Sequence, residues 1–217
     1  MHNYFLSHPE LRPVGERYVV KSEAGEDVPF RRITLTDTPS CFGGGKNPDF
    51  FIPDLTGAYG VENAPAEVTL PKRERPAPGS MTQLAAARAG IVTPEMSYVA
   101  TRENANLEGF KASLEAPGCE RVKARLFPML DAVQPWTGER VRARVAARQA
   151  VIPAAFAHAE LEPTIIGRHF STKVNANIGT STSSKDWRVE GHKLQEALAR
   201  GADTVMDLST GQCIRET

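Results

Sequence analysis

The sequence predicts an α/β protein in which a small α+β N-terminal domain precedes the first βα units of an incomplete (β/α)8 barrel. The main observation is a strand, a helix and a second strand at residues 172–208, with polar residues following each strand. The printed sequence ends at residue 217, soon after the second strand. We therefore expect a β-rich region with a connector at residues 1–80, a helical segment at 81–150 and the start of a truncated barrel at 151–217.

The composition is ordinary for a globular protein, with 41% hydrophobic and 24% charged residues among 217. The formal net charge is zero, so electrostatics predicts neither a nucleic-acid partner nor a membrane partner. The N-terminus has no secretory signal pattern, and no apolar run approaches the roughly 18 residues that span a bilayer. Three separated cysteines, Cys41, Cys119 and Cys213, fit a reducing cytoplasm better than a disulfide framework. We predict a cytoplasmic protein and assign these cysteines no role.

The first region contains two short alternating runs, at residues 17–21 and 28–35, separated by a turn at Gly25. This pattern predicts two strands. Residues 36–80 are rich in proline and contain three consecutive glycines. That composition predicts a long connector over a surface and no core element.

Helix signals begin near residue 81. Ser80 is the predicted N-cap of a helix over residues 81–89, which Gly90 ends. Thr93 followed by a proline and an acid is a second start signal, and apolar spacing then predicts one or two helices between residues 94 and 115.

A third helix is predicted from Thr137 to Gln149, with Val141 and Val145 on its inner face. A short β-prone run follows at residues 151–153.

The helix between the last two strands also has terminal signals. Ser183 with Asp186 resembles a capping box, and Gly201 is a predicted C-cap. Its predicted apolar stripe is Trp187, Leu194 and Leu198.

Parallel α/β folds bind ligands at the carboxyl ends of their strands. Asn177 ends the first strand, and Met206 and Asp207 end the second. Asn175 shares a face with Asn177, and amide side chains suit a heteroaromatic ring or a ribose hydroxyl. The alternative is that both asparagines only stabilise turns and that Asp207 is a loop anchor. Spacing alone leaves these alternatives open.

Several long motifs occur in the order of one known enzyme family. They are Met81-Thr82-Gln83-Leu84, residues 90–96, Arg102-Glu103-Asn104, Glu162-Pro163, residues 165–168, Lys173-Val174-Asn175-Ala176-Asn177-Ile178-Gly179 and residues 201–211. Together they resemble phosphomethylpyrimidine synthase, the family that makes the pyrimidine of thiamine. The resemblance is weak before residue 70 and strong after residue 80.

The resemblance implies a radical S-adenosylmethionine enzyme, a carbon–carbon lyase that rearranges aminoimidazole ribotide into 4-amino-2-methyl-5-phosphomethylpyrimidine. It implies an N-terminal domain, a (β/α)8 barrel and a C-terminal segment with a CxxCx4C site. The implied cofactors are a [4Fe–4S] cluster, S-adenosylmethionine and zinc, and full-length members are expected to be homodimers. The implied substrate-binding residues are Asn177 and Met206.

The sequence also departs from the family pattern. It contains no CxxC motif, and Ala154 and Ala155 stand where the family usually has asparagines. We expect this chain to hold no cluster, cofactor or metal ligands, and its catalytic residues are unknown. It is predicted to be an N-terminal fragment that is inactive alone. The alternative is a non-catalytic module that docks on a full-length synthase or binds a nucleotide.

Three weaker signals favour ordinary structure. The glycines before Lys46 lack phosphate-loop spacing, so a plain loop is predicted. His158 and His169 lack a cysteine partner and favour structural roles over zinc binding. A basic run lacks interleaved aromatics and favours a solvated helix face over RNA binding. Its members are Arg121, Lys123, Arg125, Arg140, Arg142, Arg144 and Arg148.

Overall fold

The computed structural model describes residues 14–55, 81–153, 162–183 and 186–210. The chain forms two compact units. The first consists of Gly15–Pro53 and Lys72–Ser171, and the second of Met1–Val14, Asp54–Pro71 and Thr172–Thr217. Each is described by itself, and the predicted division at residues 80 and 150 stays a prediction.

The described part of the first unit contains three strands, then four helices and then two short strands. Its elements are β1 (Glu16–Lys21), β2 (Asp27–Ile33), a 3-10 turn (Ser40–Phe42), β3 (Phe50–Pro53), α1 (Gln83–Arg88), α2 (Pro94–Ser113), α3 (Glu120–Asp131), α4 (Gly138–Ala146), β4 (Ala150–Val151) and β5 (Ile166–Gly167). The second unit contains β6 (Asn175–Ile178), α5 (Trp187–Ala199) and β7 (Thr204–Asp207).

Strands β1, β2 and β3 form an antiparallel sheet in that order. The first two confirm the predicted strands, but β3 lies inside the predicted connector, so that interpretation was wrong at residues 50–53. The strand forms because its apolar residues pair with β2, with Phe51 opposite Arg32. Gly109 of α2 makes room for it, since a Cβ there would lie 3.3 Å from the Phe51 Cβ.

The first two helices begin at threonine caps. Thr82, rather than the predicted Ser80, caps α1 by accepting a hydrogen bond from the Ala85 N–H. Gly90 ends α1 with φ 80°, as predicted. Thr93 caps α2 as predicted.

Helix α2 is continuous although polar residues interrupt its apolar pattern, because those residues bond to later segments. Arg102 pairs with Glu162. Glu103 accepts hydrogen bonds from the Ser171 N–H and hydroxyl, at 2.7 and 3.0 Å. These contacts satisfy groups whose burial would otherwise be costly.

The core of this unit lies between α1, α2, α4 and the β4–β5 pair. Trp136 is 7% exposed and stacks on Phe170 at 4.2 Å between ring centroids. The other buried members are Ala87, Met96, Val99, Ala100, Val141, Val145, Ile152 and Ile165. A smaller cluster of Val28, Phe30 and Tyr98 joins the sheet to α2.

Helices α3 and α4 follow. The sequence analysis did not predict α3 as a separate element, and no residue of it is buried. Thr137 caps α4 as predicted, and Val141 and Val145 are buried. The helix ends at Ala146 instead of Gln149, because Arg148 adopts φ 58°.

In the second unit, β6 and β7 pair in parallel and α5 connects them. The predicted strand–helix–strand unit is thus confirmed. Asp186, not Ser183, caps α5 through the Arg188 N–H. Trp187 is 43% exposed, so its predicted place on an apolar stripe was wrong. Gly201 has φ 80° after the last helical residues, as predicted.

The described residues form a mixed α/β fold with five helices, and no closed barrel is present among them. The incomplete barrel stays a prediction. In the described ranges, no helix combines the length and apolar character needed to cross a bilayer.

Candidate functional site

The parallel pair β6–β7 brings the two predicted substrate-binding residues side by side. Asn177 and Met206 are register partners, so their side chains lie on the same face of the pair. Both are exposed, with Met206 at 50%. Half-buried Ala176 and Ile178 alternate with the asparagines and face the other side. The pair therefore presents an amide and a thioether near the carboxyl ends of its strands.

A chain of side-chain hydrogen bonds orients the Asn177 amide. The Thr204 hydroxyl donates to Asn175 Oδ1 at 2.8 Å, and Asn175 Nδ2 donates to Asn177 Oδ1 at 2.7 Å. With its oxygen occupied in this way, the NH2 group of Asn177 is left as a hydrogen-bond donor. Asn175 and Asn177 thus bond to side chains on the same face, and this arrangement differs from the alternative in which they stabilise turns.

The loops at the carboxyl ends of the two strands are held close together. The Leu208 N–H donates to Ile178 O at 2.8 Å, and the Thr180 N–H donates to Ser209 Oγ at 3.0 Å. Gly179 has φ 145°, and a Cβ there would lie 2.6 Å from Ser209 N. The close approach therefore requires glycine at this position.

Asp207 acts as a loop anchor in this arrangement. Its Oδ1 accepts hydrogen bonds from the Ser209 N–H and hydroxyl, at 2.9 and 2.7 Å. This geometry matches the anchoring alternative for the carboxylate. The aspartate remains exposed, and as the register partner of Ile178 it lies on the opposite face of the pair from Met206.

Sequence reasoning missed Glu190 of α5, which holds the loop after β6 through a hydrogen bond to Gly179. Its side chain is fully buried, and its carboxylate accepts the Gly179 N–H at 2.8 Å and pairs with Lys193 at 2.9 Å. The Gly179 N–H and then the Lys193 ammonium lower the pKa of the Glu190 carboxyl. The signal in the sequence was only an acid in the first turn of a helix, which is common for other reasons.

The described residues do not fit an iron–sulfur cluster or a zinc ion. In the ranges that the structure covers, no group of three His, Cys, Asp or Glu side chains is placed to hold a metal. Cys41 and Cys119 are free thiols, and His169 is exposed. His158, Ala154, Ala155 and Cys213 lie outside the described residues.

The glycines before Lys46 belong to a closed loop. The Gly44 N–H donates to Pro39 O at 3.2 Å, and Thr38 bridges to Gly45. Asn47 further ties this loop to Thr36 O. These backbone bonds agree with the predicted plain loop.

Much of the basic run is used within the first unit. Arg142 pairs with Glu139 at 2.5 Å and donates to Ala87 O at 2.7 Å, while Lys123 pairs with Glu115 at 2.6 Å. Arg121 and Arg125 are exposed on α3. These contacts agree with the predicted solvated helix face.

A parallel strand–helix–strand unit with exposed polar side chains at its strand ends is an α/β arrangement, and proteins of this class bind ligands at that edge of the sheet. The sequence model of the Radical SAM ThiC family matches residues 82–217. The match covers more than half of the chain and includes both site strands, so the chain belongs to this family. The family is one of radical S-adenosylmethionine enzymes, which use an iron–sulfur cluster, and it makes the pyrimidine of thiamine.

Proposed function

We propose that this chain is the N-terminal part of a cytoplasmic phosphomethylpyrimidine synthase and that its β6–β7 face forms one wall of the site for aminoimidazole ribotide. Asn177 donates a hydrogen bond to the substrate, and Met206 supplies a polarisable apolar contact. The observation that carries the proposal is the Asn177–Met206 register pair, exposed on one face at the strand ends.

Asn175 and Thr204 are positioning residues in this proposal. Their hydrogen bonds occupy the Asn177 oxygen and leave its NH2 group for an acceptor on the ligand. A ring nitrogen lone pair or a ribose hydroxyl oxygen is such an acceptor. Without Asn175, rotation of the Asn177 amide would present oxygen or nitrogen to the ligand with similar ease.

The complete enzyme in this proposal is a homodimeric carbon–carbon lyase that converts the ribotide into 4-amino-2-methyl-5-phosphomethylpyrimidine. Its [4Fe–4S] cluster, S-adenosylmethionine and zinc are held by residues other than those described here. The contribution of this chain is substrate binding and orientation. The second candidate, a non-catalytic nucleotide-binding or docking module, has no contact in the described residues that favours it.

The site is tested by titrating the full chain with aminoimidazole ribotide and following NMR signals of the Asn177 side-chain amide and the Met206 methyl group. We expect both signals to shift together and to saturate in the millimolar range. Asn177→Ala and Met206→Leu should each weaken binding. Asn175→Ala should weaken it as well, and its effect should disappear in the Asn177→Ala background, because Asn175 acts only through Asn177.

Matched controls come from the first unit. Asn106→Ala and Met129→Leu change the same residue types on α2 and α3, which are not part of the β6–β7 pair, and should leave the titration unchanged. Ribotide-dependent shifts that avoid Asn177 and Met206, or equal effects of the control variants, would contradict the proposed site.

Turnover is tested separately. We expect an anaerobic assay of this chain with reconstituted iron, S-adenosylmethionine and the ribotide to yield no pyrimidine, because its sequence contains no CxxC motif to ligate the cluster. Formation of the pyrimidine by the chain alone would refute this part of the proposal.

A further inference from the structure

The first unit contains a cavity of about 550 Å³ that the proposed function does not use. This volume is within the range of small-molecule sites. The cavity lies between α1, the end of α4 and the β4–β5 pair. Its described lining is Thr82, Gln83, Leu84, Val145, Arg148, Gln149, Ala150, Val151, Ile152 and Ile166.

The cavity is lined mainly by apolar side chains, and Arg148 and Gln149 add hydrogen-bond donors to it. Val145 and Ile152 are buried in the core, while Val151 and Ile166 are 55% and 46% exposed. No acidic side chain is present among the described lining residues. Gln149 has its oxygen occupied by Arg144 at 2.6 Å, so its NH2 group is left as a donor. The polar part of the cavity therefore suits an acceptor or a negative charge.

Arg148 supplies the positive charge from an unusual backbone conformation. It is the non-glycine residue with positive φ, at 58°, among the described residues. Glycine is the ordinary residue at such a helix end, because side chains are strained there. A positive charge near the end of α4 interacts favourably with the helix dipole, and Arg144 in the last turn already supplies that charge. The helix dipole therefore gives no reason for a second arginine at position 148. Backbone strain of this kind clusters at functional sites, so its occurrence at the cavity is consistent with a binding role for the Arg148 side chain.

Together these observations assign a binding site, and we propose that the cavity takes a small amphipathic anion. The apolar part of the ligand packs against Val145, Val151 and Ile166, and its carboxylate or comparable acid group pairs with Arg148. This site belongs to the first unit and is independent of the ribotide site proposed for β6–β7.

Octanoate is a suitable probe, and octanamide is its uncharged isostere. Each is titrated into the full chain, and binding is followed by calorimetry and by the methyl NMR signals of Val145, Val151 and Ile166. We expect saturable binding at one site, with octanoate about fivefold tighter than octanamide, which is the size of a partly exposed charge interaction.

Two substitutions of Arg148 separate binding from folding. Arg148→Gly removes the charge and relieves the positive-φ strain, so the variant should melt no lower than the parent chain while octanoate loses its advantage over octanamide. Arg148→Gln keeps the backbone strain and should lose the same advantage. Arg125→Gln, an exposed arginine of α3 that does not line the cavity, is the matched control and should leave both titrations unchanged.

Val151→Trp fills the apolar part of the cavity and should therefore weaken the binding of both octanoate and octanamide. Three results would overturn the site: no saturable shift of the cavity methyl groups, equal affinity for octanoate and octanamide in the parent chain, or an octanoate advantage that survives both Arg148 substitutions.

Discussion

Replacing Glu162 by alanine is expected to destabilise the first unit severely. Arg102 is almost fully buried, with its side chain 3% exposed, and its Nη2 lies 2.5 Å from Glu162 Oε2. The Tyr98 hydroxyl donates to the same carboxylate oxygen at 2.9 Å and accepts from Arg102 at 3.0 Å. One carboxylate therefore satisfies a buried guanidinium and a buried phenol.

The magnitude follows from what Glu162→Ala leaves behind. The guanidinium stays buried without the Glu162 carboxylate as its counter-charge. Its Nε has no hydrogen-bond partner even when Glu162 is present. Breaking a buried pair from one side costs about 3–5 kcal/mol. That is a large fraction of the ordinary 5–15 kcal/mol of domain stability. The matched control is Glu115→Ala, which breaks the exposed Lys123–Glu115 pair of the same unit and should change stability by no more than about 0.5 kcal/mol.

The assay is urea unfolding followed by Trp136 fluorescence in a Trp187→Phe background. Trp136 lies in the core of the first unit, whereas Trp187 is exposed on α5, so the remaining signal reports the unit that contains the pair. A double-mutant cycle with Arg102→Met isolates the pair energy. A cost below about 1 kcal/mol for Glu162→Ala would refute the reasoning, since it would mean that water reaches Arg102 in the native protein.

Three further predictions concern single contacts. The pKa of Glu190 is lowered in the folded protein, so its stabilising effect is complete above its unfolded pKa and is lost as the pH falls through its lower folded pKa. Amide exchange at Gly179 should show this loss, and Glu190→Gln should abolish the pH dependence. Gly179→Ala should cost about 1–3 kcal/mol, because its Cβ would meet Ser209 N at 2.6 Å and its φ is 145°. Unchanged amide exchange at Leu208 and Thr180, whose N–H groups hold the two loops together, would contradict the close approach. Asn104→Ala should lower the free energy of unfolding in urea by about 2 kcal/mol, because it removes two hydrogen bonds to the Trp136 backbone, at 2.8 and 2.7 Å. A decrease of only a few tenths of a kcal/mol would indicate that water replaces the amide.

Local signals predicted the helix ends well. Thr93, Thr137, Gly90 and Gly201 lie where the sequence placed them, because capping depends on one side chain and the few backbone groups next to it. The predicted caps Ser80 and Ser183 were displaced by Thr82 and Asp186, within the usual error of element ends.

Elements that depend on distant partners were harder to predict. Strand β3 has few residues and is surrounded by prolines and glycines, and it becomes a strand only through pairing with β2. In the same way, the apolar spacing left one or two helices open between residues 94 and 115, where the structure has a single helix with polar residues Arg102 and Glu103 inside it. The structure shows that residues about sixty positions later satisfy those side chains.

The candidate site was predictable in its position and not in its orientation. The rule that parallel strands bind ligands at their carboxyl ends pointed to the ends of β6 and β7. The family resemblance singled out Asn177 and Met206, and their role in substrate binding stays a prediction. The sequence contains no sign that Thr204 fixes Asn175, because that contact depends on the register of two strands separated by α5. Glu190 was missed for the same reason, since its partner is a backbone N–H outside its own helix.

The neutral strand residues of the β6–β7 face restrict how the proposed substrate lies on it. Asp207 is exposed, but it is the register partner of Ile178, so its carboxylate lies on the opposite face from Met206. Asn175, Asn177, Thr204 and Met206 share the other face and are all neutral. In the proposed function this face therefore suits the heteroaromatic ring of the ribotide better than its phosphate. One neutral hydrogen bond contributes about 1 kcal/mol, whereas a millimolar ligand needs roughly 4 kcal/mol. The expected millimolar binding therefore requires contacts besides the Asn177 hydrogen bond.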